Sequence, residues 1–261
     1  MDPFIIEKAK WILFKTPDHP IEVIKRRIYQ FFDKFDKFDQ FEDLNPMVSV
    51  RDNFDRLFIF NHLDFNAYYA GKNLVLRTHT TAHQNKLLSM GFKNFLITGD
   101  VYRNDKIDWC HYPIFHQMDA LSIVSNNINI EQELLSIIRK LLIYLCSDIE
   151  YRINPQYFPY TDPSFEVEVK FNGKWLEVMG CGIVQSEILR RNNIPGRAWA
   201  FGIGLDRMAM IAYNISDIRH LWVKTGIEFQ LIHHRSCIYK FQEGKYNQTG
   251  HRNLFIGFHR L

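Results

Sequence analysis

Residues 98–120, TGDVYRNDKIDWCHYPIFHQMDA, constrain this chain more than any other stretch. They predict two strands, over 95–103 and about 112–124, joined by the polar loop NDKIDWCH. That loop is too charged for a buried strand and long enough to project as a hairpin tip. Side chains of an extended strand alternate between faces, so Phe115, Gln117 and Asp119 share one side. Ile114, His116 and Met118 share the other. An aromatic ring, an amide and a carboxylate on one face of a core strand, with Arg103 at the strand end beside them, mark a candidate site rather than a solvated surface.

The remainder must supply a scaffold for that face. With 261 residues, 46% of them hydrophobic and 23% charged, the chain can bury a full core as one large or two ordinary domains. A net charge of only +3 excludes an overall basic field. The charge is uneven, because residues 223–261 carry six Lys/Arg against two acids. This basic tail is expected to be a solvated terminus more than a polyanion contact. Cys110, Cys146, Cys181 and Cys237 are scattered without a CxxC pair, which points to a reducing compartment and no disulfide framework. No apolar run reaches membrane-spanning length. The N-terminus lacks a cleavable-signal pattern and is a poor match to an Arg- and Ser-rich transit peptide.

Along the chain, Asp18-His19-Pro20 predicts a helix start, with Ile21, Ile24, Ile28 and Phe31 forming its apolar stripe. FDKFDKFDQF, residues 32–41, reads as the frayed end of that helix plus a linker. MVSV and NLVLRT predict short strands. In HTTAHQNKLLSMGF, Thr81 and Gln84 form a capping-box pattern at a helix start, and Gly91 ends the helix. His79 and His83 have the i, i+4 spacing of zinc ligands, but no Glu or third ligand accompanies them, and metal binding by this pair is disfavoured. Residues 129–149 predict a strong core helix. Phe165, Val167 and Val169 alternate with polar residues, and Asn172-Gly173 predicts a hairpin turn. AWAFGIGLDRMAMIAYNI reads as a strand, a glycine-rich turn at Gly202 and Gly204, and a helix. It lacks the third glycine and the βαβ context of a dinucleotide fingerprint. The fold class is therefore α+β, an antiparallel sheet flanked by helices.

Arg103 and Arg207, with no acidic partner assigned to either, suggest an anionic ligand, since guanidinium forks bind phosphate oxygens. Strand-borne carboxylates such as Glu177 or Asp119 suit an ammonium group or a magnesium ion. The aromatic residues of FPY suit a hydrophobic side-chain pocket. Phosphate, ammonium and aromatic recognition together fit adenylation of an aromatic amino acid.

At this point a resemblance becomes specific. GDVYRNDKIDWCHYPIFHQMDA resembles motif 2 of the class II aminoacyl-tRNA synthetases, in the version found in phenylalanyl-tRNA synthetases. AFGIGLDRMAMIAYNISDIRHLW resembles their motif 3. LRTHTTAHQ, YFPYTDPSFEVEV and WLEVMGCG resemble the intervening catalytic segments, in the family's order. The resemblance covers about residues 40–222 and is closest to the single-chain mitochondrial form.

The resemblance implies a class II catalytic domain over residues 40–222, preceded by an N-terminal helical extension over 1–39. The basic tail over 223–261 does not read as the ferredoxin-like anticodon-binding domain of the mitochondrial form, which is expected to be absent from this chain. The implied activity is that of a phenylalanine–tRNA ligase, with ATP, phenylalanine and tRNA(Phe) as substrates and Mg2+ as cofactor. By the same resemblance the location is the mitochondrial matrix, no membrane is involved, and a monomer is favoured over a dimer. Arg103 is implied on the α-phosphate of ATP and Arg207 on the γ-phosphate. Asp105, His111, Phe115 and Glu177 complete the ATP contacts, with Glu177 also the metal candidate. His79, Thr81, Gln84, Gln117 and Asp119 are implied around the amino acid's ammonium and carboxylate groups. Phe158, Tyr160 and Ala200 bound the phenyl pocket. The chain departs from the family's usual residues at Asp119 and Asp206, where glutamate is common, and at Tyr160, where a second phenylalanine is common. These departures keep two other readings open: a catalytically silent relative that binds amino acid, tRNA or a protein, and an adenylating enzyme for another amino acid or small acid.

Overall fold

The computed structural model of the protein describes residues 2–35, 38–61, 66–125 and 128–222. The basic tail over 223–261 and Cys237 lie outside them. The structure is built on a seven-stranded sheet. In chain order its strands are β1 (Asp39–Phe41), β4 (Asn94–Tyr102), β5 (Ile114–Val124), β6 (Tyr151–Phe158), β7 (Thr161–Phe171), β8 (Lys174–Val184) and β9 (Arg197–Gly204). Across the sheet the order is β1-β4-β5-β9-β8-β7-β6. All pairings are antiparallel except β1 with β4, which is parallel. Two short strands, β2 (Met47–Ser49) and β3 (Leu74–Leu76), pair separately.

The expected helix after Pro20 is α2 (Pro20–Phe32), capped by His19, whose ring nitrogen accepts the N–H of Ile21. Its stripe of Ile21, Ile24, Ile28 and Phe31 is buried. Each such side chain contributes roughly 1.5–3 kcal/mol of hydrophobic stabilisation. α2 joins α5 (Ile130–Leu145) and α7 (Leu205–Tyr213) on one sheet face, over Met118, Ala120, Phe201 and Ile203. α3 (Val50–Asn53), α4 (Gln84–Ser89) and α6 (Ser186–Arg191) cover one half of the other face, around Phe95, Ile97, Leu121 and Ala198. The uncovered half of that second face is where the site lies. None of the described helices is long and apolar enough to cross a membrane.

Three expectations change here. The linker reading of FDKFDKFDQF gives way at its end to β1, which pairs with β4 by register Asp39↔Phe95. The capping box is not used: α4 begins at Gln84 without a side-chain cap, after a 3-10 turn over Thr80–His83. Gly202 and Gly204 are not a turn; they belong to β9, which runs directly into α7 with Gly204 as its N-cap. Asn172 and Gly173 do make the hairpin turn, with φ of 49° and 77° as a type I′ turn requires.

Candidate active site

The uncovered half of the sheet face has a floor of small residues. β8 and β9 pair Gly180 with Gly202 and Gly182 with Ala200, and β5 sets Asp119 opposite Gly202 and Gln117 opposite Gly204. The absent side chains open a cavity of about 620 Å³. All fourteen residues singled out in the sequence line it: His79, Thr81, Gln84, Arg103, Asp105, His111, Phe115, Gln117, Asp119, Phe158, Tyr160, Glu177, Ala200 and Arg207. Gly202 has no space for anything larger. A Cβ there would lie 2.5 Å from Gln117 Nε2 and 2.8 Å from Asp119 Oδ1. At Gly180 it would press on the Phe158 ring at 3.0 Å.

Asp119 is buried against the glycine floor. Its Oδ1 accepts from Thr80 Oγ1 at 2.7 Å and from Gln117 Nε2 at 2.8 Å, and its Oδ2 accepts from Thr81 Oγ1 at 2.5 Å. Burial pushes the carboxyl's pKa up, and these three donors together with the charge of Arg77 oppose the shift. Thr80 carries no local signal beyond its place beside Thr81. Arg77 was also missed. This fully buried arginine donates from Nε to the Asp100 carbonyl at 2.7 Å, and its Nη1 lies 2.9 Å from His83 Nε2. The latter contact takes up Nε2 of His83. His79 is buried and tilts against the Tyr160 ring at 6.5 Å. Burial, with Arg103 nearby, lowers its pKa to about 3.

The two signature arginines line the same cavity. Arg103 donates from Nε to the Thr78 carbonyl at 3.0 Å, and its guanidinium carbon lies 5.1 Å from the Phe115 ring centre. Arg207 is less independent than expected. Its Nη1 donates to the Glu177 carbonyl at 2.7 Å and lies 3.8 Å from Glu177 Oε2, and its Nε donates to the Cys110 carbonyl at 3.4 Å. These contacts aim both forks while leaving guanidinium edges for an anion. Glu177 is half-exposed and stands outside any cluster of three acidic, thiol or imidazole ligands among the described residues. A single carboxylate beside the arginines does not make an all-protein Mg2+ cage, and would hold such an ion only together with oxygens supplied from outside the protein.

The apolar wall is formed by Phe158 and Tyr160, whose rings stack 5.8 Å apart at 14°, with Ala200 on the floor. Asp206 also borders the cavity, and its carboxylate is engaged elsewhere. It accepts the backbone N–H of His116 at 2.6 Å and lies 3.1 Å from His116 Nδ1, joining β5 to α7.

Comparison with known proteins shows the family of this chain. The family model described as "tRNA synthetases class II core domain (F)" matches residues 12–232. The chain belongs to the class II tRNA synthetase core family. It is 40% identical to the mitochondrial phenylalanine–tRNA ligase of Dictyostelium discoideum over 84% of this chain and 57% of that protein. It is also 40% identical to the chloroplastic/mitochondrial phenylalanine–tRNA ligase of Arabidopsis thaliana, over 84% of this chain and 55% of that protein. With the phenylalanine–tRNA ligase alpha subunit of Vibrio campbellii, identity is 37% over 77% of this chain and 63% of the relative. The chain thus spans rather more than half the length of these class II relatives.

Proposed function

We propose that this chain is the catalytic core of a phenylalanine–tRNA ligase, which activates phenylalanine with ATP and transfers it to tRNA(Phe). The observation that carries this reading is the arrangement of one cavity. The carboxylate of Asp119, an aromatic wall of Phe158 and Tyr160, and two arginine forks line it together. An amino acid with its ring on the wall presents its carboxylate towards the arginines, where the α-phosphate of ATP is held. Arg103 stabilises the charge shifting at that phosphate and Arg207 grips the γ-phosphate. Asp105, His111 and Phe115 receive the nucleotide, and Mg2+ is shared with Glu177. The reaction runs on positioning and fixed positive charge and needs no protein nucleophile. Phenylalanine-dependent ATP–pyrophosphate exchange tests it. Exchange should fall about a hundredfold or more in Arg103→Ala and in Arg207→Ala. Folded protein without exchange would sink the proposal.

The relatives' names further support a mitochondrial location, with the matrix as the finer proposal; fractionation of tagged full-length protein tests it. By resemblance to the single-chain form the proposed state is a monomer, which light scattering checks.

One observation favours the alternative, a silent relative that binds without activating. Three donors within the protein already occupy Asp119, so little of its carboxylate is left for a ligand's ammonium group. Calorimetry separates the two readings, because phenylalanine or tRNA binding without ATP binding favours the silent one.

A further inference from the structure

The tip of the β4–β5 loop holds a second cluster of chemistry, of which the ligase reading uses His111 alone. Asp108, Cys110 and His111 each offer a metal-ligating atom, and the three atoms lie within 4.8 Å of one another. No other such group of three occurs among the described residues. We propose that this loop tip binds one thiophilic divalent ion of the Zn2+ class, with Asp108, Cys110 and His111 as its protein ligands.

The spacing carries the argument. Tetrahedral zinc with bonds of about 2.0–2.3 Å places neighbouring ligand atoms about 3.3–3.7 Å apart. Cys110 Sγ and His111 Nδ1 are already 3.4 Å apart. Asp108 Oδ2 stands 2.8 Å from the same nitrogen, so an ion entering between them opens that edge by about half an ångström. The backbone needs no rearrangement. Asp108 Oδ1 accepts the N–H groups of both Cys110 and His111 at 2.8 Å, and the Asp108 N–H donates to the His111 carbonyl at 3.1 Å.

The donor set carries the selectivity. A thiolate and an imidazole beside one carboxylate favour Zn2+, or Co2+ as its probe, over Mg2+ and Ca2+, which take oxygen. Three protein ligands leave a fourth position, and Cys110 and His111 both line the cavity, so that position opens towards it. The Cys110 carbonyl also receives Arg207 Nε, so an ion here would bind to the loop that braces one of the two cavity arginines.

The test is a Co2+ titration of the reduced, chelator-stripped full chain at mildly alkaline pH, since the thiol releases its proton on binding. The expected result is one Co2+ per chain, a thiolate-to-cobalt absorption band in the near ultraviolet, and its loss when Zn2+ displaces the cobalt. Cys110→Ser should remove the band, Asp108→Asn should weaken affinity at least about tenfold, and Cys237→Ser should keep both. Should Cys110→Ser fold poorly by circular dichroism, the half-exposed Asp108→Asn carries the test. Absence of a band in folded wild type, or a band that survives Cys110→Ser, overturns the site. Metal binding is read without any activity assay, so absence of exchange would remove the ligase reading and leave this proposal standing.

Discussion

The carboxylate of Asp206 accepts the backbone N–H of His116 at 2.6 Å, and both side chains are almost wholly buried. This single acceptor fixes the start of α7, and hence Arg207, against the strand that carries Phe115, Gln117 and Asp119. Asp206→Ala leaves the His116 N–H and ring nitrogen without their partner in a buried setting, which should cost about 2–4 kcal/mol. Asp206→Asn keeps an acceptor and should cost less. Urea unfolding of the two variants checks the order, and a larger loss in Asn than in Ala would refute the clamp.

Gly202→Ala and Gly204→Ala make a matched pair two residues apart on one strand. A Cβ at Gly202 collides with Gln117 and Asp119, whereas at Gly204 its nearest neighbour is the Val178 carbonyl at 3.8 Å. Gly202→Ala should reduce phenylalanine-dependent exchange at least about tenfold and cost about 1–3 kcal/mol of stability. Gly204→Ala should change stability by under about 1 kcal/mol and leave substrate-dependent exchange within about twofold. Thermal melts and exchange rates for both variants decide the matter.

Thr81→Val removes one of three donors to Asp119. The carboxyl's pKa, already raised by burial, should rise further, and stability should fall by about 1–3 kcal/mol. Thr81→Ser restores the donor and should recover most of the loss. The comparison also tests the helix-cap reading of Thr81, under which the threonine would matter to α4 and not to the carboxylate.

Acid should destabilise the fold well above the carboxylate range. Burial lowers the pKa of His19 to about 4, of His83 to about 4 and of His79 to about 3, from an ordinary 6.5. The unfolded chain therefore binds more protons than the folded one between about pH 6.5 and 4. Stability contributed by neutral burial is full above 6.5 and is lost as pH falls through that window. For His19 the shift corresponds to on the order of 3 kcal/mol at most. His19→Gln should flatten the dependence of unfolding free energy on pH between 6.5 and 4, and an unchanged slope would count against it.

Much of this architecture is legible in local pattern. Alternation along β5 separates Gln117 and Asp119 from His116 and Met118, and the structure keeps that division because one face is core and the other cavity. What escaped local reading depends on partners far along the chain. Thr81 fits a capping box, yet its hydroxyl donates to Asp119, 38 residues away, because a buried carboxylate requires hydrogen-bond donors wherever the chain supplies them. β1 was obscured because phenylalanine at every third residue matches no strand period, and its pairing with β4 spans more than fifty positions. Gly202 and Gly204 read as a breaker because glycine is usually one, whereas here Gly202 supplies volume for neighbouring side chains. Arg77 gave no sign at all. The proposed roles of individual side chains came from resemblance, not from periodicity.

The direct passage of β9 into α7 has a mechanical consequence. Gly202, against which Asp119 rests, and Arg207 are five residues apart along a strand that becomes a helix without a loop between them. The carboxylate's support and the arginine are therefore mounted on one rigid rod, and their separation works as a built-in ruler. One residue inserted between Gly204 and Leu205 would turn the helix by about 100° and swing the arginine out of the cavity. The spacing of these two positions is therefore set by backbone geometry and not by a loop.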